Sequence, residues 1–238
     1  MRKQTALFLG LIDGSQDKNF VSLRALLSQL PTADINHIIK AIQFIRWADE
    51  HNFCSRCGHR TNLHTKGENA TICPACNYHQ YPRIQPCVIT AVTRTNPNNG
   101  KPQVLLAHHK RYAKAKKTNN QQPRYGLIAG FVEAGETLEN AVHRETLEEV
   151  SLGVSNIRYF SSQPWAYPSN LMIGFIAQYT TGNADNIKVQ DDELIHAQFF
   201  DLDNLPLIPP VGTIAYRLIE HLTNKHRLPS PATFWPLN

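Results

Sequence analysis

Residues 130–152 read "GFVEAGETLENAVHRETLEEVSL" and hold six glutamates in 23 positions, although the whole chain carries a formal net charge of +5. Between Thr137 and Val150 the stretch contains no Pro or Gly, and its Leu, Glu, Ala, Val and Arg residues favour a helix. The sequence therefore predicts a helix with an unusual density of carboxylates. Something positive is needed to stabilise so many like charges in one place.

Three glutamates of this helix lie three and four residues apart. Glu145, Glu148 and Glu149 then share one helix face, where their like charges repel and destabilise the helix. A divalent cation between them would remove that cost, and ligands that are all oxygen suit Mg²⁺ or Mn²⁺. The spacing alone leaves open an acidic, solvated helix face that pairs with lysines elsewhere.

The order of residues in the stretch is more specific than the spacing. From Gly130, five residues lead to Glu136, seven more lead to Arg144-Glu145, and two more lead to Glu148-Glu149. This order resembles the signature of the Nudix hydrolase superfamily. The resemblance implies an α+β protein with the Nudix α/β/α sandwich fold. It also implies that the signature binds divalent metal and a substrate diphosphate, and that the chain hydrolyses a pyrophosphate bond.

Two positions depart from that signature. Thr146 occupies a position where an aliphatic residue is usual, and Ser151 occupies the position where a glycine normally ends the helix. A glycine there would allow a left-handed C-terminal cap, so Ser151 makes the end of the helix uncertain in the sequence. A slightly shifted turn at Gly153 is the alternative that the sequence offers.

Four of the five cysteines form two pairs with two-residue spacing, Cys54 with Cys57 and, fifteen residues later, Cys73 with Cys76. Such pairs supply four thiolates around a tetrahedral ion with no open position, so the sequence predicts one structural Zn²⁺ per subunit. Two disulfides are the alternative, although no export signal indicates an oxidising compartment. The fifth cysteine, Cys87, lies in the apolar run "PCVITAV" and is predicted to be a buried core residue.

The remaining patterns divide the chain into three parts. Residues 1–50 form a short N-terminal α/β segment, with a strand in "MRKQTALFLGLIDG" and an amphipathic helix in "TADINHIIKAIQFIRWADEHNF" that Thr32 is expected to cap. Residues 51–82 form the zinc ribbon, and residues 83–238 form the Nudix domain. In that domain "PCVITAVTR" and "QVLLAHHK" are predicted to pair as a hairpin across the turn-forming "TNPNNGKP".

Residues 162–175, "SQPWAYPSNLMIGF", carry an array of Gln, Pro, Trp, an aromatic residue and Pro after the helix. Together with the cysteine ribbon ahead of the signature, this array is similar to the hallmark of the zinc-ribbon NAD(H) pyrophosphatase (NudC) family. The resemblance implies metal-dependent hydrolysis of NAD(H) to AMP and nicotinamide mononucleotide, removal of NAD caps from RNA 5′ ends, and a homodimer. It covers roughly residues 43 to 222.

The aromatic residues of the array suit a flat ligand. Trp165 and Tyr167 could stack a base or a nicotinamide ring, and the prolines on either side would hold them in place. Core packing is the alternative for such a pair. Compared with the family's array, Ala166 replaces a proline, Tyr167 replaces a phenylalanine, and Ser169-Asn170 replace a Gln-Ser pair, so these changes bear on nucleobase selectivity.

The resemblance also assigns roles to single positions, with Arg144 expected to orient the carboxylates. The implied catalytic residues are Glu145, Glu148 and Glu149. The implied ligands of the catalytic Mg²⁺ or Mn²⁺ are Ala129, through its carbonyl, Glu145, Glu148, Glu149 and Glu193. The implied substrate contacts are Glu68, Tyr81, Gln163, Pro164, Trp165, Ala166, Tyr167, Pro168, Ser169, Asn170 and Ala215.

A basic segment follows the predicted hairpin and crowds Lys110, Arg111, Lys114, Lys116 and Lys117 into eight positions. The segment has no regular apolar period and is either a solvated loop or a surface that attracts phosphates, including those of capped RNA. Charge does not decide between them, because a net charge of +5 is modest for 238 residues.

Composition and hydropathy exclude other classes. At 42% hydrophobic residues the chain can bury a real core, and no window approaches the roughly 18 apolar residues of a membrane span. The N-terminal apolar run breaks at Asp13 without a cleavage signature, so we expect a cytoplasmic protein with no membrane partner. Two alternatives remain: a Nudix pyrophosphatase for ADP-ribose or another dinucleotide, and a non-catalytic module that binds nucleic acid through its zinc ribbon.

Overall fold

The computed structural model describes residues 23–64, 67–110 and 122–226, and these form two compact units. The first unit comprises residues 23–85 with Pro164–Leu171, and the second comprises Pro86–Gln163 with residues 172–226. The predicted N-terminal strand and the basic segment from Arg111 onward lie outside the described residues. None of the described helices has the length and apolar character needed to cross a membrane.

The first unit begins with two helices, α1 at Leu23–Leu26 and α2 at Thr32–Glu50. The predicted amphipathic helix is confirmed, because Ile35, Ile39 and Trp47 of α2 are buried. The predicted cap is wrong. Pro31 occupies the N-cap position and no side chain caps the first turn, since Thr32 already lies inside the helix.

The cysteine ribbon of the first unit is a small three-stranded antiparallel sheet. Its strands are β1 at Asn62–Leu63, β2 at Thr71–Ile72 and β3 at His79–Gln80, in the order β1-β2-β3. Strands of two residues bury little surface. Among the described residues of 51–82, only five are buried: Cys54, Ala70, Thr71, Cys73 and Gln80. The ribbon therefore has almost no apolar core of its own.

The second unit is built on a six-stranded sheet with the order β7-β8-β4-β5-β9, in which β6 pairs with β4. The strands are β4 Gln85–Thr95, β5 Pro102–His109, β6 Ile128–Phe131, β7 Gly153–Trp165, β8 Asn170–Thr181 and β9 Leu194–Asp201. Among the described residues of this unit, two helices accompany the strands, α3 at Leu138–Val150 and α4 at Ile214–His226. The predicted hairpin is confirmed, because β4 and β5 pair antiparallel with Thr93 opposite Val104.

Apolar residues that alternate along the strands form two separate cores in this unit. One cluster joins Val88 and Val92 of β4 to Ala141 of α3, and the other joins Ile89 of β4 to Leu218 of α4. Because neighbouring residues of a strand point to opposite faces, the two helices cover opposite faces of the sheet. This arrangement confirms the predicted α/β/α sandwich. Cys87 is buried, as expected.

The predicted carboxylate helix is confirmed as α3, and its end differs from the glycine alternative. Ser151 itself adopts the left-handed conformation, with φ 56° and ψ 35°, and its N–H donates to the Leu147 carbonyl at 2.9 Å. Gly153 begins β7 and does not have a positive φ, so a shifted turn at Gly153 is wrong. The left-handed cap is therefore at the position where the family usually has glycine. It is occupied by Ser151, whose Cβ makes the left-handed conformation less favourable than it is for glycine.

Candidate active site and metal centres

The start of α3 and the neighbouring strand fix the carboxylates in place. The Thr137 side chain accepts a hydrogen bond from the Asn140 N–H at 3.2 Å, which caps the helix. Gly130 of β6 lies directly against the helix, because a Cβ at this position would come within 1.8 Å of the Glu145 carboxyl carbon. Any larger residue at position 130 would force the Glu145 carboxylate out of the position in which Arg144 holds it.

Arg144 connects three carboxylates. Its Nε and Nη2 each donate to one oxygen of Glu136 at 2.8 Å, and its Nη1 donates to Glu145 at 2.8 Å and to Glu148 at 3.1 Å. Nη2 also donates to the Phe131 carbonyl at 2.8 Å, which connects α3 to β6. Hydrogen bonds from Arg144 and from a backbone N–H lower the pKa of Glu136 to about 2. As the sequence predicted, Arg144 orients the carboxylates.

Glu193 approaches the same helix from the segment before β9. The Gln190 N–H donates to the Glu149 carbonyl at 2.9 Å, which connects this segment to the last turn of α3. Burial raises the pKa of the Glu145 carboxyl, Arg144 lowers it, and the negative charges of Glu148 and Glu193 raise it further. Glu145 and Glu193 are therefore close enough for their charges to interact, although 48 positions separate them in the sequence.

The donor chemistry of this cluster suits a divalent cation, although in the described part of the chain no three of its carboxylates lie within 4.8 Å of one another. Arg144 forms ion pairs with Glu136, Glu145 and Glu148, and the Glu193 charge interacts with Glu145, so one arginine offsets only one of these four negative charges. Glu149 lies one helical turn after Glu145 and is only 1% exposed. All donors are oxygens, as Mg²⁺ and Mn²⁺ prefer. Ala129 directly precedes Gly130 in β6 and pairs with Ile89, so it lies in the strand beside Glu145.

The departure at Thr146 does not disturb the cluster. Thr146 is fully buried, and its hydroxyl donates to the Val142 carbonyl one turn earlier at 2.8 Å. A helix carbonyl thus satisfies the one polar atom that distinguishes threonine from a branched aliphatic residue. The substitution therefore leaves the helix face of Glu145 and Glu149 unchanged.

The four cysteines meet in two similar turns. In one, the Cys54 N–H donates to His59 and Gly58 donates back to Cys54; in the other, Cys73 donates to Tyr78 and Asn77 donates back. The residue four positions after the first cysteine is left-handed in both turns, with φ 77° at Gly58 and 55° at Asn77. The two pairs therefore form the same local structure, and each turn directs two sulfurs toward the other pair.

The sulfur atoms of this centre fit zinc. The Cys57 sulfur lies 3.4 Å from those of Cys73 and Cys76, and Cys54 lies 3.7 Å from Cys76. Tetrahedral Zn–S bonds of about 2.3 Å place sulfurs about 3.8 Å apart, whereas a disulfide requires about 2.05 Å. All four cysteines are free thiols, so the structure does not contain the two disulfides that were the alternative to zinc.

The aromatic array lies in the first unit, where two arginines contact it. The rings of Trp165 and Tyr167 lie 5.4 Å apart, and the Arg24 guanidinium lies 4.7 Å from the centre of the Tyr167 ring. Arg46 donates to the carbonyls of Ala166 and Pro168. These contacts give the array a fixed local shape and place positive charge beside its aromatic rings.

The other residues of the array are more enclosed. Ala166 is 1% exposed and packs among the apolar residues of α1 and α2, and Asn170 is 6% exposed and donates to the Tyr167 carbonyl at 3.2 Å. Their predicted contacts with substrate, like those of Pro164, Pro168 and Ser169, stay predictions. The Ala166 side chain packs in this core, so only its backbone remains for such a contact.

Gln163 and Ala215 come together in the second unit. The Gln163 amide donates to the Gly212 carbonyl at 2.8 Å and accepts from the Ile214 N–H at 2.7 Å, which holds the start of α4. Ala215 follows in the first turn of that helix and is 8% exposed. The structure thus gives Gln163 a positioning role, and its predicted contact with substrate stays a prediction.

Glu68 and Tyr81 also meet, in the ribbon. The Tyr81 hydroxyl donates to a Glu68 oxygen at 3.0 Å, and this hydrogen bond and the Glu68 charge raise the pKa of Tyr81. Both side chains are exposed. The structure therefore brings together two predicted contacts that lie 13 positions apart.

Sequence reasoning missed the arginines at the array. Arg46 of α2 lies 120 positions before the Ala166 carbonyl, and Arg24 of α1 lies 143 positions before the Tyr167 ring. Neither belongs to a motif, and an arginine on an amphipathic helix is typical of a solvated face. No signal in a single sequence indicates this pairing.

An open groove of about 1080 Å³ lies elsewhere in the second unit. Its lining includes Arg94, Arg158, Tyr159 and His221 and none of the predicted catalytic or metal-binding glutamates. The groove is therefore not the carboxylate site.

Comparisons with known proteins agree with these features. The family model of the NUDIX domain matches residues 86–222. The NAD-capped RNA hydrolase NudC of Pasteurella multocida (strain Pm70) is 44% identical over 207 residues, which cover 86% of this chain and 71% of that protein. The protein of the same name from Vibrio atlanticus (strain LGP32) is 44% identical over 214 residues, which cover 90% of this chain and 72% of that one.

A solved structure supports the fold. The crystal structure of a NUDIX hydrolase from Nitrosomonas europaea superposes with a TM-score of 0.52 at 26% sequence identity, and the match covers 74% of this chain and 92% of that one.

Proposed function

This chain belongs to the Nudix hydrolase family and, within it, to the NudC family, and on that premise we propose that it hydrolyses the pyrophosphate bond of NAD(H). Water adds to the adenylate-side phosphorus, and the bond from that phosphorus to the bridging oxygen breaks. The bridging oxygen leaves with the other phosphate. The products are AMP and nicotinamide mononucleotide, reduced or oxidised according to the substrate.

The observation that carries this proposal is the carboxylate cluster around Arg144. Glu145, Glu148, Glu149 and Glu193 come from two separate segments and converge on one region of the second unit. A chain that only binds nucleic acid would not need these glutamates together, since close carboxylates repel one another. The cluster therefore favours hydrolysis over the non-catalytic alternative.

Each residue of the cluster has a distinct task. Arg144 holds Glu145 and Glu148 by charge-assisted hydrogen bonds and is itself held by the two oxygens of Glu136. Gly130 keeps free the space that the Glu145 carboxylate occupies. The carboxylates are thus fixed before substrate arrives, which lowers the cost of reorganisation during the reaction.

Glu145, Glu148, Glu149, Glu193 and the Ala129 carbonyl are the groups that would hold Mg²⁺ or Mn²⁺. Such a cation, when bound, neutralises the diphosphate and stabilises the charge that develops on the leaving oxygen. The four cysteines would hold one Zn²⁺ with no open position, and this ion has a structural role. The two centres differ in donor chemistry, so each selects its own ion.

We also propose that the chain removes NAD caps from RNA 5′ ends and acts as a homodimer. The names of the relatives support the first point, and the basic segment from Lys110 to Lys117 would add attraction for the RNA phosphates. The chemistry is the same as for free NAD(H). If the basic segment contributes, cleavage of capped RNA weakens with added salt more steeply than cleavage of NADH. Equal salt dependence for the two substrates would show that the basic segment does not attract the RNA phosphates.

The experiment is a substrate profile of the purified chain with Mg²⁺ or Mn²⁺. NADH, NAD⁺, ADP-ribose and NAD-capped RNA are compared, and the products are identified by mass spectrometry. We expect AMP and reduced nicotinamide mononucleotide from NADH, and a loss of turnover of at least about 100-fold in Glu149→Gln. The matched control is Glu139→Gln, an exposed glutamate in the first turn of the same helix. Cleavage of ADP-ribose without cleavage of NADH would contradict the proposed substrate and would favour the alternative, a pyrophosphatase for ADP-ribose or another dinucleotide.

A further inference from the structure

The ribbon contains a second group of metal-binding side chains, distinct from the four cysteines. Potential ligand atoms of His64, Glu68 and His79 all lie within 4.8 Å of one another. Neither histidine belongs to the cysteine motif, and the proposed hydrolysis of NAD(H) uses neither. The reason for their proximity lies in the strand register of the ribbon sheet.

The register places both histidines on one face of the sheet. Asn62 of β1 pairs with Ile72 of β2, which pairs with His79 of β3, so these three residues share a face. His64 lies two positions after Asn62 and extends the same strand, because its N–H donates to the Ala70 carbonyl at 2.9 Å. His64 therefore returns to the face of His79, and the ring centres lie 5.2 Å apart.

An independent observation indicates a ligand at this place. The Nδ1 atom of His64 is buried and has no hydrogen-bond partner among the described residues. A buried polar atom without a partner is costly, and such atoms in native proteins usually have a water, an ion or another group beside them. A metal ion bound to Nδ1 on the face shared with His79 would give this atom its missing partner.

We propose that His64, Glu68 and His79 form a second divalent-metal site, which takes Zn²⁺ or a similar transition-metal ion. Two imidazoles and one carboxylate are a donor set that zinc uses in sites with an open fourth position. Tetrahedral ligand atoms at about 2.1 Å from the ion lie about 3.4 Å apart, so atoms that lie within 4.8 Å of one another need to close by at most about 1.4 Å. Glu68 is exposed and can supply much of this movement by side-chain rotation.

Tyr81 completes the site as a positioning residue. Its hydroxyl donates to Glu68 at 3.0 Å, and its ring centre lies 6.4 Å from that of His79. Carboxylates that bind metal are usually held by such hydrogen bonds, and their loss costs roughly 10- to 100-fold in metal affinity. The same hydrogen bond therefore orients the one exposed ligand of the three.

The test is Co²⁺ binding to the full chain with its cysteine centre loaded with zinc, in excess Mg²⁺ and without substrate. Absorption from a site with nitrogen and oxygen ligands, without thiolate-to-cobalt charge transfer, identifies this site. We expect wild type to bind one equivalent of Co²⁺ per chain more than His64→Asn or His79→Asn, with saturable binding. Tyr81→Phe should weaken the binding roughly 10-fold. His59→Asn, the same substitution at another histidine of the ribbon, should bind as wild type does.

Zinc content measured on the same samples separates loss of the site from loss of the fold. If a histidine variant also loses the zinc of the cysteine centre, Glu68→Gln carries the test, because this exposed side chain adds nothing to the packing. Equal stoichiometry and affinity in wild type, both histidine variants and Glu68→Gln would overturn the proposal. The result does not depend on the proposed hydrolysis, because no substrate is present.

Discussion

The cysteine centre and the carboxylate centre are built in opposite ways. The cysteine centre takes every ligand from two similar turns, in a ribbon where two of the five buried side chains among the described residues of 51–82 are themselves ligands. The carboxylate centre takes its groups from α3 and from the segment before β9, on a sheet with an apolar core on each face. We therefore propose that an ion is part of the fold in the ribbon, whereas in the second unit it would be added to a completed fold.

Removal of zinc should have the largest effect and tests this difference directly. Structural zinc supplies on the order of 10 kcal/mol toward folding in small domains, and the ribbon has little else to stabilise it. Cys73→Ala or a chelator should therefore unfold the ribbon while the second unit keeps its structure. Limited proteolysis with metal analysis checks this, and Cys87→Ala, at a buried cysteine outside the ribbon, should keep its zinc. If the ribbon resists protease without zinc, the ribbon does not depend on its ion for folding, and the proposed difference between the two centres is wrong.

Gly130→Ala should have the next largest effect. The new methyl group would lie 1.8 Å from the Glu145 carboxyl carbon, so the Glu145 carboxylate must move and lose its hydrogen bond from Arg144, which costs about 1.5–3 kcal/mol. In a Glu145→Ala background the carboxylate is gone, so the same substitution should cost less than about 1 kcal/mol. Urea unfolding of the four proteins measures this coupling. An equal cost in both backgrounds would show that the glycine and the glutamate are independent.

Acid should weaken the Arg144–Glu136 pair in a defined range. The pKa of Glu136 is lowered from 4.5 to about 2. A carboxyl whose pKa is lowered in the folded state stabilises the fold above its unfolded pKa, and this contribution is lost as the pH falls toward its folded pKa. Glu136→Gln should therefore lower the free energy of unfolding at pH 7, and this deficit should shrink between about pH 4.5 and pH 2. Glu139→Gln is the control, and a deficit that does not change with pH would contradict the assignment.

The smallest expected effect is a gain in stability. Ser151 caps α3 with φ 56°, a left-handed conformation in which glycine avoids the Cβ clash, so Ser151→Gly should stabilise the protein by about 0.5–1 kcal/mol. Ser155→Gly makes the same change in an extended strand and should destabilise it by a similar amount. Thermal unfolding compares the two variants. Destabilisation by Ser151→Gly would show that the cap does not carry strain.

Patterns that are local in sequence predicted much of this molecule. The carboxylate helix, the cysteine turns and the hairpin of β4 and β5 all depend on residues within about 25 positions of one another, and spacing alone indicates them. Arg144 was also predictable as a partner of the glutamates, because it lies next to Glu145 and one helical turn before Glu148.

Features that depend on distant contacts were not predictable from the sequence. Arg46 reaches the Ala166 carbonyl across 120 positions, and the convergence of His64 and His79 depends on the register of three short strands. The left-handed Ser151 was missed for a different reason. Residue preference favoured glycine, but the path of the chain from α3 into β7 fixed the position of the cap regardless of residue type.

The central claim is that the carboxylate centre performs hydrolysis and the cysteine centre only supports the fold. The most direct test is kcat/KM for NADH in Glu145→Gln, with the zinc content measured on the same sample. We expect a loss of at least about 100-fold with one zinc per chain retained, because the substitution removes one charged carboxylate and leaves the ribbon intact. Activity near that of wild type would contradict the claim.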